Sequence, residues 1–556
     1  MVIGGSVYSD VFQLICSAGR PSRHREPLIK KTAYLFVSLF IALALLVGCG
    51  GGGGGGIVVA PPTPPPTDWQ PGVFLDESTY ALRCATPGNS VNIYTASCPA
   101  VADVQGSTTD ENNFLRSWSN RTYLWYDEIV DRDPGLYNDP HAYFALLKTT
   151  AQSPTGAPRD KFHFTQDSEA YCQLSQGGVS AGYGAEWAIL EASPPNREII
   201  VAYTEPNTPA TANNLLRGAV VLEVDGVAVN NGNAGVLNAG LFPSALNESH
   251  DFTIRDPDGT VRIITMVSQV ITNAMVQNAQ VIDTQTGAVG YMTFNYHRAP
   301  AEEELIDAVN LLIANGPVDD LVLDLRYNGG GFLDIAAQLA YMIAGSEPTA
   351  GRTFETLQFN DKFPATNPVT GQPITPTPFH DKTLGFSVVE GQDLPTLSLP
   401  RVFVLTSGGT CSASEAIMNG LRGVGVDVIQ IGSTTCGKPY GFYAQENCGT
   451  TYFTIQFRGV NDANYGDYTD GFEPSAVDDG EAQVLGCQVA DDFSEQLGNP
   501  AENRLEVALA FQAGQGCITP VGAAPGELGK PALQLRGREP IVPRSPFDSN
   551  RIMRRP

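Results

Sequence analysis

Ser412 and Lys438 are the side chains of this sequence best placed for covalent chemistry. Ser412 follows the apolar run Val402-Phe403-Val404-Leu405 and the loop Thr406-Ser407-Gly408-Gly409-Thr410-Cys411, and the spacing predicts that it opens a helix. A helix N-terminus presents free amides and partial positive charge, which suits a developing oxyanion. The plain alternative is a serine N-cap, with Glu415 completing a capping box three positions on. Local sequence alone favours that cap. Lys438, in Thr435-Cys436-Gly437-Lys438-Pro439, comes just after the run Val426–Ile431. A lysine can serve a serine as general base if burial disfavours its charge. Bringing it from about 10.4 to about 7–8 means destabilising the ammonium by about 4 kcal/mol. Small or apolar residues flank Lys438, and no acid stands between Asp427 and Glu446, so the vicinity permits this.

A second serine competes. Gly178-Val179-Ser180-Ala181-Gly182 matches Gly-x-Ser-x-Gly, the nucleophile elbow of α/β-hydrolases, and would make the chain an esterase. That elbow needs a buried strand before it and a helix after it. Here a polar run precedes it and a loop and strand follow, so the context fails. Cys411 as nucleophile is the outside reading, because no histidine follows His380 in the core to pair with it. The six histidines are scattered, and neither Cys-x-x-Cys nor His-Glu-x-x-His spacing occurs. No metal or cofactor is expected.

These residues need a scaffold, and the hydrophobic pattern supplies one. From 285 to 520 strands and helices alternate: Gly290–Phe294, a helix over Glu302–Ala314, Leu321–Leu325, a helix over 333–344, Val402–Leu405, a helix from Ser412 to Leu421, then Val426–Ile431. Such alternation predicts an α/β core with parallel strands. Residues 165–275 change period, with β-rich runs at 187–190, 198–203, 219–224 and 261–266 separated by Gly, Pro, Asn and Asp. The segment Thr208–Gly218 followed by Val221-Leu222-Glu223-Val224-Asp225-Gly226 resembles a PDZ domain, although Ala219 stands where an acidic residue is usual. Residues 113–164 read as short helices and 68–112 as irregular.

Taken together, Ser412-Ala413-Ser414-Glu415, Gly437-Lys438 and the upstream Asp324-Leu325-Arg326-Tyr327-Asn328-Gly329-Gly330-Gly331 resemble the C-terminal processing proteases, also called tail-specific proteases. The likeness covers roughly residues 113–480. It implies Ser412 as nucleophile, Lys438 as general base and Glu415 as a supporting acid. It also implies an oxyanion hole from the amides of Ala413 and Gly330, with Arg326 and Asn328 shaping the turn. Two departures stand out: many relatives carry a glutamine where this chain has Phe442, and the serine-to-lysine spacing is about one residue longer. Gln445 could replace that glutamine only if the loop bends back. The resemblance leaves two functions in play, a serine endopeptidase and a catalytically inactive PDZ scaffold. Their partners would be unstructured or C-terminal segments of proteins, which a PDZ domain binds by strand addition.

Length and composition fit this. At 556 residues with 42% hydrophobic and 17% charged residues, the chain is long enough for several folded units. Its 59 acidic residues outnumber 33 basic ones, which argues against a nucleic-acid binder. Residues 1–48 read as a signal peptide, with Lys30-Lys31 ahead of a short apolar run ending Leu46-Val47-Gly48-Cys49. That ending resembles a bacterial lipobox, which implies lipidation at Cys49, a Gly/Pro-rich tether over 49–67 and a membrane-anchored protein of the cell envelope. Eight further cysteines permit up to four disulfides. Cys84–Cys98, Cys436–Cys448 and Cys487–Cys517 are the local pairings, and Cys411–Cys436 competes as a clamp across both candidate catalytic loops. The polar, proline-rich stretch 525–556 reads as a disordered tail.

Overall fold

The β-branched and leucine-rich runs at 320–324, 401–406 and 427–432 form the centre of a seven-stranded sheet. The computed structural model describes residues 69–243, 245–520 and 551–553. These lie in a unit spanning 64–556; the other unit, 1–63, lies outside the described residues, as do Cys49 and the rest of the tether. Among the described residues no helix is long and apolar enough to cross a membrane.

The sheet comprises β1 (Val276–Thr284), β2 (Gly287–Phe294), β3 (Asp320–Asp324), β4 (Arg401–Thr406), β5 (Asp427–Gly432), β6 (Glu473–Ser475) and β7 (Gln483–Gln488), in the order β1-β2-β3-β4-β5-β7-β6. Only the β1–β2 pair is antiparallel. The central strands are buried on both faces, because successive side chains alternate and helices cover each side. Leu321, Leu323, Val402 and Val404 face α1 (Ala301–Ala314), α2 (Leu333–Ala344) and α3 (Ala413–Gly423). Val322, Phe403, Leu405 and Ile431 face α4 (Asn503–Gln512). The expected strand–helix alternation is therefore the core of the molecule, within one or two residues at most element ends.

A smaller domain precedes it. A six-stranded antiparallel sheet runs through 185–191, 198–204, 220–224, 227–228, 249–255 and 261–267, and its own apolar core holds Trp187, Ile199, Val221, Phe252 and Leu237. This is the PDZ-like domain, with its helical turn Pro209–Ala212 and a hairpin turning at Asp225-Gly226. Its strand at 249–255 has no clear sequence signal, since it begins Ser-His-Asp. The domain starts later than position 165: Phe164–Asp167 pairs with Thr450–Phe453 of the core. Ser180 sits in a ribbon strand opposite Ile271, and the helix Ser168–Gly177 precedes it instead of following. The elbow geometry is absent there.

Further differences come from long-range contacts. The N-terminal helix begins at Thr108, five residues before the expected start, because the Ser107 and Asp110 side chains cap it reciprocally. Four disulfides join described residues: Cys84–Cys448, Cys98–Cys172, Cys411–Cys436 and Cys487–Cys517. The local pairings Cys84–Cys98 and Cys436–Cys448 are thus corrected. The segment before Thr108 folds back on the core, placing Cys84 beside a cysteine 364 positions away. Finally, Arg551–Ile552 is a strand within what reads as a disordered tail, paired in parallel with Gly331–Phe332.

Candidate functional site

Three neighbouring parallel strands end at one place. The loop after β3 carries Arg326, Asn328 and Gly330, that after β4 leads to Ser412, and that after β5 leads to Lys438. Open parallel sheets bind ligands at the carboxyl ends of their strands.

Ser412 stands immediately before α3 with φ 63° and ψ −110°, a conformation that costs a non-glycine residue about 1–3 kcal/mol. Glu415 holds it there. One oxygen of this fully buried carboxylate accepts the amides of Ser412 (2.7 Å) and Lys438 (2.9 Å). The other accepts the Gly437 amide (2.8 Å) and the Thr435 hydroxyl (2.6 Å). Burial pushes the Glu415 carboxyl above its ordinary range, while these donors pull it back. The capping-box half contributed by Glu415 is therefore real, but its carboxylate also ties the serine loop to the lysine loop. The Cys411–Cys436 bond and the Cys436 amide on the Thr410 carbonyl (3.0 Å) reinforce that tie. Gly437, at φ 78°, is required: a Cβ would stand 2.2 Å from the Thr469 carbonyl oxygen.

The Lys438 side chain has no solvent exposure, and its Nζ lies 4.5 Å from the Phe162 ring centre and 4.6 Å from that of Phe442. The ring faces attract a cation, whereas exclusion of water opposes one. Phe442, which departs from the glutamine of the resembled family, thus lies against the lysine. Gln445 lies in the strand Gln445–Asn447, opposite Tyr452.

Asn328 fastens the upstream turn. Its side chain donates to the Phe294 carbonyl (2.8 Å) and accepts the Gly330 amide (2.9 Å). Its own carbonyl receives the Cys411 amide (3.1 Å) and the Ser414 hydroxyl (3.0 Å). The turn is thereby fixed against the start of α3. In this arrangement the Gly330 amide points to Asn328. Arg326 is buried in a carboxylate cage, bonding Asp324 (2.9 Å), Asp491 (2.7 Å) and both oxygens of Glu502 (2.7 and 2.9 Å).

Other residues of the site escape sequence reasoning. His297, just beyond β2, shares a 3.0 Å bond with Asn328 through Nδ1, and burial pushes its pKa down to about 3. Its place after a parallel strand was the available signal. Phe162, and Lys161 donating to the Cys436 carbonyl (2.9 Å), come from the N-terminal region and carry no motif. Among the described residues, one group is compact enough for a metal ion: Cys411, Glu415 and Cys436. Its sulfurs are bonded to each other, so it offers no thiolate.

The stretch 286–447, which spans the Asn-Gly-Gly turn, Ser412 and Lys438, matches the profile of Peptidase family S41. Residues 286–447 belong to peptidase family S41. No curated protein matches the sequence. Among solved structures, an S41 protease from Bacteroides fragilis NCTC 9343 is similar at 20% identity and a TM-score of 0.54, covering 72% of this chain and 97% of that one. The photosystem II D1 C-terminal processing protease is similar at 19% identity and a TM-score of 0.40, covering 72% and 99%. The likeness to the B. fragilis structure is one of fold. The S41 peptidase core and a PDZ-like domain are thus combined in one chain.

Proposed function

We propose that this S41 peptidase is a serine endopeptidase that hydrolyses protein substrates through a Ser412–Lys438 dyad. Ser412 attacks the peptide carbonyl as Lys438 takes its proton. Lys438 returns a proton to the leaving amine, and water then hydrolyses the acyl-enzyme. The amides of Ala413 and Gly330 stabilise the oxyanion, Gly330 exchanging its Asn328 partner as substrate enters. Arg326 and Asn328 hold the turn, Glu415 positions the two loops, and no metal or cofactor is required. The observation that carries this reading is the convergence of the Ser412 and Lys438 amides on one Glu415 oxygen, with Ser412 strained at the helix start.

The PDZ-like domain selects unstructured or C-terminal segments of substrates. Export and a lipid anchor at Cys49 complete the reading: four disulfides favour an oxidising compartment of the cell envelope. Phe442 against Lys438 favours the rival, a PDZ scaffold without catalysis. Cleavage of a disordered protein by wild type, Ser412→Ala and Lys438→Ala chains separates the two. We expect wild type to cleave and each variant to lose about 10³-fold or more in kcat/KM. Activity surviving Ser412→Ala overturns the dyad.

A further inference from the structure

The short strand Arg551–Ile552 is not part of the seven-stranded sheet. One edge pairs with Gly331–Phe332, with Gly331 opposite Arg551 and Phe332 opposite Ile552. The other edge bridges Phe442 to Ile552, and the Met553 amide donates to the Phe442 carbonyl (3.1 Å). Both neighbours come from the site loops. Gly331 directly follows the Asn328–Gly330 turn, and Phe442 carries the ring that lies against Lys438. Gly331 can line this groove only as glycine, since a Cβ would stand 2.3 Å from the His297 carbonyl oxygen. Ile552 is 1% exposed, and with the strand in place Ser412, Ala413 and Lys438 are each 0% exposed.

We propose that the groove between Gly331–Phe332 and Phe442 is the seat of an extended substrate strand, and that Arg551–Met553 of this chain fills it as a resident pseudosubstrate. The inference rests on the reading of Ser412 and Lys438 as the catalytic pair. Pairing along both edges is how a groove holds a peptide by its backbone, with one side-chain pocket setting preference. The pocket takes an aliphatic side chain. The resident segment is Arg551-Ile552-Met553, in a stretch whose sequence continues Arg554-Arg555, so the preferred ligand is an extended peptide with an aliphatic residue in a basic sequence. The rest of the molecule complements it: a chain of net charge −26 attracts basic segments. The strand belongs to the same chain as the groove it fills. Its binding is therefore intramolecular, with no second molecule to recruit. A substrate must then compete with the chain itself, and its apparent affinity falls by the fraction of molecules that are open.

The test uses full-length chains. Ile552→Asp places a charge in the aliphatic pocket and should raise kcat/KM on a disordered basic protein by about tenfold or more. Ile552→Val should behave as wild type, and a peptide of residues 545–556 should inhibit Ile552→Asp. Equal, Ser412-dependent rates for wild type and Ile552→Asp would overturn the proposal. Binding of the same labelled peptide in a Ser412→Ala background reads the groove without catalysis. Binding to Ser412→Ala/Ile552→Asp, and at least tenfold weaker to Ser412→Ala alone, supports a filled groove even if no chain cleaves protein, an outcome that would sink only the dyad. Equal binding to both, or to neither, sinks the pseudosubstrate.

Discussion

Glu415 shows how one buried side chain can tie two loops together. Its two oxygens receive four donors from two loops, three of them backbone amides. Glu415→Gln replaces one accepting oxygen by an NH2 group that faces donors. A buried donor left without an acceptor costs about 1–3 kcal/mol, so thermal stability should drop by that order. Because the loops would drift apart while the peptide groove stays, kcat should fall at least tenfold with KM little changed. A variant that loses KM instead would show that Glu415 acts on substrate binding. Much of this was legible beforehand: the Ser-x-x-Glu spacing marks a helix start, and only the joint presence of Lys438 and the Asn-Gly-Gly turn raises it above a cap. The link from Glu415 to Thr435, Gly437 and Lys438 was not legible, since it joins residues twenty or more positions apart.

At the scale of elements, legibility follows periodicity. β3, β4 and β5 announce themselves as continuous apolar runs because they are buried on both faces. The strand Ser249–Arg255 does not, because its first residues meet solvent and only Phe252 and Ile254 face the core. The junction between the PDZ-like domain and β1 is equally silent in sequence, yet it holds a titrating group. Glu205 lies at the end of strand 198–204, accepting the Ala274 amide (2.9 Å) and the Gln277 side-chain amide (3.0 Å). Burial raises its pKa to about 7, with Glu186 and Glu304 adding to the rise and Arg298 opposing it. The folded chain therefore keeps a proton that the unfolded chain releases near 4.5. Stability from this group is full below 4.5 and declines until pH passes about 7, by roughly 3 kcal/mol in all. Glu205→Gln removes that decline. The melting temperature of the variant relative to wild type should be several degrees higher at pH 8 than at pH 4.5. An equal difference at both pH values would mean that Glu205 ionises normally.

Across the whole molecule, one buried ionic network joins the two domains. Arg217 leaves the PDZ-like domain to bond the Tyr327 hydroxyl (2.6 Å), Asp491 (2.7 Å) and the carbonyls of Asp492 (2.9 Å) and Glu495 (3.0 Å). Asp491 also bonds Arg326, so the domain contact and the Asn-Gly-Gly turn share a carboxylate. Burial alone would raise Asp491, but Arg504, Arg217 and Arg326 hold it well below the usual carboxylate range. Its contribution is thus present above about pH 4 and lost on acidification below that. Truncating one member of such a network leaves charges buried without partners, a loss of about 3–5 kcal/mol. The PDZ-like sheet keeps its own core around Trp187 and Phe252, so Arg217→Ala should uncouple the domains without unfolding either. Calorimetry should then show two transitions where wild type shows one, and the acid sensitivity of the core transition should shift upward in pH. A single transition at an unchanged temperature would mean that apolar packing, and not this arginine, binds the domains together.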